Sequence, residues 1–204
     1  MNPWRTRINQ WLHPVASKLP ISPNALTGLA LGLNLVAAST LAQSARRPSA
    51  LLVATGLLAV GGLLDALDGA VARAQGKTSR IGDFLDHLSD RVSDGALLAG
   101  WTIGAEIRLP LAVLTLLAVS LNGYIGTQME ASFGKRDYDA VGRGEFVLGL
   151  IVMPIVLFTL HRSQLAHHRF LTLTIAEWMT VAILVAAVLG FLQRLAQVRR
   201  LPTA

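Results

Sequence analysis

Apolar residues gather along this chain into six long blocks, at roughly 25–41, 50–72, 84–103, 109–129, 146–160 and 173–192, with short polar breaks between them. About 20 largely apolar residues suffice for a helix to cross the hydrocarbon core, so the pattern predicts six spanning helices. The third block is unusual, because Asp86, Asp90, Arg91 and Asp94 interrupt its first half. Pro154 predicts a kink in the fifth, where neighbouring helices can satisfy the backbone groups it frees. The breaks hold Gly, Pro, Arg, Lys and His, leave no room for a soluble domain, and show no internal repeat. Residues 1–204 therefore read as one membrane domain, an arm over 1–20 and a six-helix body over 21–204.

Within the arm, Trp4, Ile8, Trp11, Leu12 and Val15 recur at helix-like spacing, with Arg5, Arg7 and Lys18 among them. That pattern predicts a juxtamembrane amphipathic helix lying in the interface, apolar side down. Pro3 suits its start and Pro14 bends or ends it. The first apolar block exceeds the roughly 7–15 residues of a signal peptide's apolar region, and no good small-residue cleavage site follows it. It is expected to stay as a span. The fold class is all-α: a polytopic membrane protein with six transmembrane helices and an N-terminal interfacial helix.

Composition sharpens this picture. Only 15% of the 204 residues are charged, against about 25% in soluble domains, which says more than the 52% hydrophobic content. The absence of cysteine excludes disulfides, thiolate metal sites and cysteine catalysis. A net charge of +6 does not imply nucleic acid here, because basic residues at span ends set orientation and meet anionic lipid. On one side of the predicted topology lie Arg5, Arg7, Lys18, Arg73, Lys77, Arg80, Lys135, Arg136, Arg143, Arg194, Arg199 and Arg200; on the other lie Arg46, Arg47, Arg108, Arg162 and Arg169. Twelve cations against five predict that both termini and the 73–82 loop face the cytosol, in a multi-pass cell-membrane protein.

Around that loop sit Asp65, Asp68, Asp86 and Asp90. Separations of three and four residues place each pair on one helical face, and the short loop predicts that the two helices are antiparallel neighbours. Charge inside a span costs roughly 2.5–3.5 kcal/mol per residue on the insertion scale, and converging carboxylates repel one another. A divalent cation removes both difficulties, and oxygen-only ligands suit Mg²⁺, Mn²⁺ or Ca²⁺ rather than zinc. Two ions bridged by shared carboxylates would match many phosphoryl-transfer sites. The competing reading is solvated helix ends, or ion pairs with Arg73, Lys77, Arg80 and Arg91.

The stretch from Asp65 to Asp90 meets every position of D-x2-D-G-x2-A-R-x8-G-x3-D-x3-D, and so resembles the CDP-alcohol phosphotransferases, which carry this signature. Ser22-Pro23-Asn24-Ala25-Leu26-Thr27 resembles the same family more weakly. The resemblance implies a six-helix membrane enzyme, commonly a homodimer. Such an enzyme moves a phosphoalcohol group from CDP-diacylglycerol or a similar donor to a small alcohol, releasing CMP in phospholipid biosynthesis. It implies Asp65, Asp68 and Asp86 as ligands of Mg²⁺ or Mn²⁺, with two ions in the site, and Asp90 as both ligand and general base. CDP contacts would come from Asp68, Gly69, Ala72, Arg73 and Gly82: the small residues leave a groove for cytidine, and the guanidinium forks onto diphosphate oxygens. Direct attack on phosphorus is the expected route, with a covalent aspartyl-phosphate as the alternative.

The acceptor is less legible. Lys135 and Arg143 are candidate contacts to an anionic alcohol such as an inositol phosphate or another polyol phosphate. The inositol-phosphate-accepting branch usually carries Lys/Arg-x-Arg-x-Glu at the end of the fourth helix, whereas this chain reads Gly126-Thr127-Gln128-Met129-Glu130. Glycerol 3-phosphate, free inositol and serine stay open as acceptors. His161, His167 and His168 fall on the opposite side and read as loop residues. Asp83 is expected to cap the third helix and Asp94 to pair with Arg91. A divalent-cation transporter is the rival of another class; it would place its site near the midplane.

Overall fold

The computed structural model describes residues 16, 18–134 and 143–199. They form six helices, α1 Pro23–Ala42, α2 Ala50–Ala74, α3 Arg80–Gly104, α4 Leu109–Phe133, α5 Arg143–Arg162 and α6 Ile175–Val198. A short antiparallel hairpin, β1 Arg169–Phe170 and β2 Leu173–Thr174, precedes α6. Each apolar block is a helix. Four of them, α1, α2, α4 and α6, are long and apolar enough to cross a membrane, while the apolar part of α5 is shorter and α3 carries the carboxylates. The amphipathic-helix expectation falls almost wholly on residues outside the described set.

Polar residues fix the helix ends. Ser22 caps α1, accepting from the Ala25 amide at 3.3 Å, and Pro23 follows where a missing N–H costs nothing. Thr174 and Glu177 form a reciprocal capping box at the start of α6, with bonds of 3.2 and 2.9 Å. The cap of α3 differs from expectation. Ser79 Oγ accepts from the Gly82 amide at 3.0 Å, so α3 begins a turn earlier than the apolar pattern suggests, and Asp83 lies in its first turn instead. Pro154 sits buried inside α5.

The principal helix pairings run α1–α2, α2–α5, α5–α6, α6–α4, α4–α3 and α3–α1, closing a ring. The signature helices α2 and α3 are therefore not the packed neighbours that their short loop suggests. They make few contacts with one another and both pack on α1. Two carboxylate-lined faces pressed together would repel; splayed from the loop, they leave a cleft instead.

Small residues make the α1–α3 seam possible. In a bilayer, helices gain no hydrophobic drive from meeting, so close backbone packing decides the contact. Gly100 lies against the Ala38 backbone, and Gly104 lies against the Leu41 carbonyl and Ser44 Oγ, so closely that a Cβ at either glycine would overlap them. Replacing Gly104 by alanine is expected to cost about 1–3 kcal/mol of stability through overpacking. At Gly32 an added carbon meets nothing within 4 Å, and the same change should be neutral or mildly stabilising. Thermal unfolding of the two variants in detergent separates these outcomes.

A second small core, Ala16, Leu26, Ala70 and Val71, lies where the chain enters α1. Gln75 ties that entry down, its Nε2 donating to the Leu19 carbonyl at 2.9 Å. The start of α1 is thus held against the end of α2, beside the cleft.

Candidate metal centre

Asp68 and Asp86 each lie six residues from the loop-side end of their helix, about 9 Å along the axis at 1.5 Å per residue. At that depth the helices have diverged, yet carboxylate side chains still reach across. Asp65 and Asp68 from α2 and Asp86 from α3 each offer an oxygen, and these oxygens all lie within 4.8 Å of one another. Asp68 is buried and its two companions are half-buried. Among the described residues this is the single cluster of three such ligands. His161 and His167 meet edge to face, with ring centroids 5.6 Å apart, and belong to no such cluster among the described residues.

Asp90 stands one turn further into α3 and is not part of the three-oxygen group. Its Oδ1 is shielded from solvent, and its Oδ2 lies 4.0 Å from Arg91 Nη2. Arg91 turns chiefly to Asp94, at 3.3 Å, which is the pair that the spacing suggests. Its guanidinium crosses Gly123 of α4, where a Cβ would collide with it.

The other signature residues lie on the same two helices. Arg73 folds back along its own helix, so that a Cβ on Gly69 would lie 3.1 Å from its Nη1. Gly82 faces Asn24 of the α1 entry, its notional Cβ 3.3 Å from the Asn24 amide oxygen. Ala72 is half-buried on the helix that carries Asp68 and Arg73. His87 Nε2 lies 3.8 Å from both Asp83 and Glu130, so the glutamate that survives from the expected fourth-helix pattern points toward α3. Of the acceptor candidates, Lys135 lies outside the described residues and Arg143 opens α5.

Two polar residues carry more than the sequence reading gave them. Thr27 in α1 donates its hydroxyl to Asp68 Oδ2 at 2.5 Å, with both side chains buried. Arg194 counts by sequence as a basic residue near the tail. It is buried in the α6–α4 seam, bonded to the Asn122 side chain and carbonyl and lying across Gly126. The signal for each was a polar residue within an otherwise apolar helix.

The donor set fits a hard divalent cation: three carboxylates, no nitrogen and no sulfur, drawn together where their mutual repulsion would otherwise drive them apart. Apolar helices that carry such a cluster mark a membrane protein with a site suited to a divalent cation. The chain belongs to the CDP-alcohol phosphatidyltransferase family, whose model matches residues 20–192. It is an integral membrane CDP-alcohol phosphotransferase. It is 34% identical over 155 residues to an archaetidylinositol phosphate synthase of Pyrococcus horikoshii, covering 74% of this chain and 80% of that one. It is 37% identical over 149 residues to a phosphatidylinositol phosphate synthase of Mycolicibacterium smegmatis, covering 70% of this chain and 63% of that one. The phosphatidylinositol phosphate synthase of Mycobacterium tuberculosis superimposes in its apo form with a TM-score of 0.69 at 28% identity, over 91% of this chain and 95% of that one. The same enzyme has been solved with CDP-DAG bound (TM-score 0.66, 26% identity, 91% and 92% covered). It has also been solved with manganese and citrate (0.67, 27%, 92% and 88%).

Proposed function

We propose that this enzyme transfers the phosphatidyl-type group of CDP-diacylglycerol, or of a similar CDP-alcohol, to an inositol phosphate, releasing CMP. The observation that carries the reading is the meeting of Asp65, Asp68 and Asp86 across two splayed helices, beside the small residues and arginine of the signature. The names of the relatives support the acceptor. The missing cations at 126–128 argue for a different set of phosphate contacts, with Arg143 and Lys135 as the candidates.

In this reading Asp65, Asp68 and Asp86 hold Mg²⁺ or Mn²⁺, two ions to a site. Bound there, the metal supplies positive charge that offsets the diphosphate and the departing CMP. Gly69 and Ala72 leave room for cytidine against the α2 backbone, Gly82 closes the opposite wall, and Arg73 orients the diphosphate. Asp90 accepts the proton of the acceptor hydroxyl as its oxygen bonds to phosphorus. The phosphorus–oxygen bond to CMP breaks, and CMP leaves with the electron pair. All six helices span the bilayer, both termini and the cleft face the cytosol, and the protein works as a homodimer.

Purified protein incubated with CDP-diacylglycerol and Mn²⁺ should release CMP with an inositol phosphate, and not with glycerol 3-phosphate, inositol or serine. Donor left intact by every acceptor would argue against the assignment. A cation transporter is disfavoured by depth, because Asp68 and Asp86 lie about 9 Å from the helix ends rather than at the midplane.

A further inference from the structure

We infer that Thr27 is a positioning residue for the metal centre, and that its hydroxyl sets how Asp68 presents itself to a cation and therefore which cation the site prefers. The inference rests on the reading of Asp65, Asp68 and Asp86 as ligands.

A threonine hydroxyl has one proton to give. Thr27 Oγ1 lies 3.2 Å from the Pro23 carbonyl and 2.5 Å from Asp68 Oδ2. The ionised carboxylate is the stronger acceptor and the shorter contact, so the proton goes to Asp68. Thr27 is 7% exposed and Asp68 6%, so water does not compete for this bond. The donor is itself held rigidly. Thr27 lies in the second turn of α1, whose start is capped by Ser22 and tied to α2 through Gln75 and Leu19.

With Oδ2 engaged by the hydroxyl, one of its lone pairs is taken and the carboxylate is held in one orientation, which disfavours chelation of an ion through both oxygens. Mg²⁺ and ions like it take single oxygens in octahedral geometry, whereas Ca²⁺ accepts six to eight oxygens and commonly takes carboxylates bidentately. A bond that fixes the carboxylate and competes for one oxygen therefore favours the smaller ion. Partners that orient a ligand typically contribute about 10–100-fold to metal affinity.

The test is Mn²⁺ binding by electron paramagnetic resonance to the full-length protein in detergent with CDP present, with Ca²⁺ as displacing ion. Thr27→Val keeps the shape and removes the donor. It should weaken Mn²⁺ about 10–100-fold and weaken Ca²⁺ less, so that Ca²⁺ displaces Mn²⁺ at lower relative concentration. Thr27→Ser, which keeps the hydroxyl, should restore both quantities. If Thr27→Val does not fold, Thr27→Ala carries the same expectation without burying a methyl against the carboxylate. Mn²⁺ affinity and the Ca²⁺ ratio both unchanged on losing the hydroxyl would reduce Thr27 to packing and overturn the inference. Failure of Thr27→Ser to restore them would overturn it too. Wild-type protein that binds no Mn²⁺ would sink the metal centre itself.

Discussion

Replacing Asp86 by asparagine is expected to lower CMP release on the order of 10³-fold, comparable with deleting a principal source of electrostatic stabilisation in other active sites. Asp86 is the more telling choice among the three clustered carboxylates because it is the sole contribution from α3. Asp65 and Asp68 both belong to α2, so without Asp86 the three-oxygen cluster has no member from α3, a helix that otherwise touches α2 little. Asparagine keeps the size and one oxygen but removes the negative charge that draws a divalent ion. A second readout follows from linkage. A ligand that binds only the folded protein stabilises it, by about 2.7 kcal/mol at a hundred times its dissociation constant. Mn²⁺ should therefore raise the unfolding temperature of the wild-type protein and leave that of Asp86→Asn unmoved. Relief of carboxylate repulsion should leave the metal-free variant at least as stable as the metal-free parent. A variant that keeps both turnover and the Mn²⁺-dependent shift would remove Asp86 from the site.

The helices were legible because their apolar runs are long and their breaks short, so that little in the sequence competes with a span. Their ends were less so. Ser79 and Asp83 are both good capping residues four positions apart, and the apolar pattern begins too late to choose between them. The convergence of Asp65, Asp68 and Asp86 followed from helical spacing. Yet the route by which it is achieved was hidden, since a short loop ordinarily means packed neighbours. Both α2 and α3 pack on α1 instead, α3 closely at Gly100 and Gly104, and two glycines in an apolar helix do not by themselves say which helix they admit. Thr27 stood within a motif without a visible task, because its partner lies 41 residues away. Arg194 looked like one more positive charge near the tail until its burial against α4 set it apart. Acceptor choice depends on a few cations whose positions local pattern does not dictate.

Asp90→Asn should separate the two roles that the family signature implies for Asp90. Four residues beyond Asp86, it shares a helical face with that ligand and stands about 6 Å deeper, yet it does not join the three-oxygen cluster. That position suits a group that meets the acceptor hydroxyl more than one that holds the ion. Asparagine preserves the shape and can still accept a hydrogen bond, but it cannot carry away a proton. If Asp90 is the base, kcat should fall about 10²–10⁴-fold while the affinities for CDP and Mn²⁺ stay near those of the parent. The residual rate of the variant should also climb with pH, as hydroxide takes over the deprotonation that the side chain no longer performs. A matching loss of Mn²⁺ affinity would make Asp90 a fourth ligand instead. Turnover at the parental rate would leave the proton with another acceptor, and His87, on the same helix as Asp90 and facing Asp83 and the α4 residue Glu130, would be the next residue to replace.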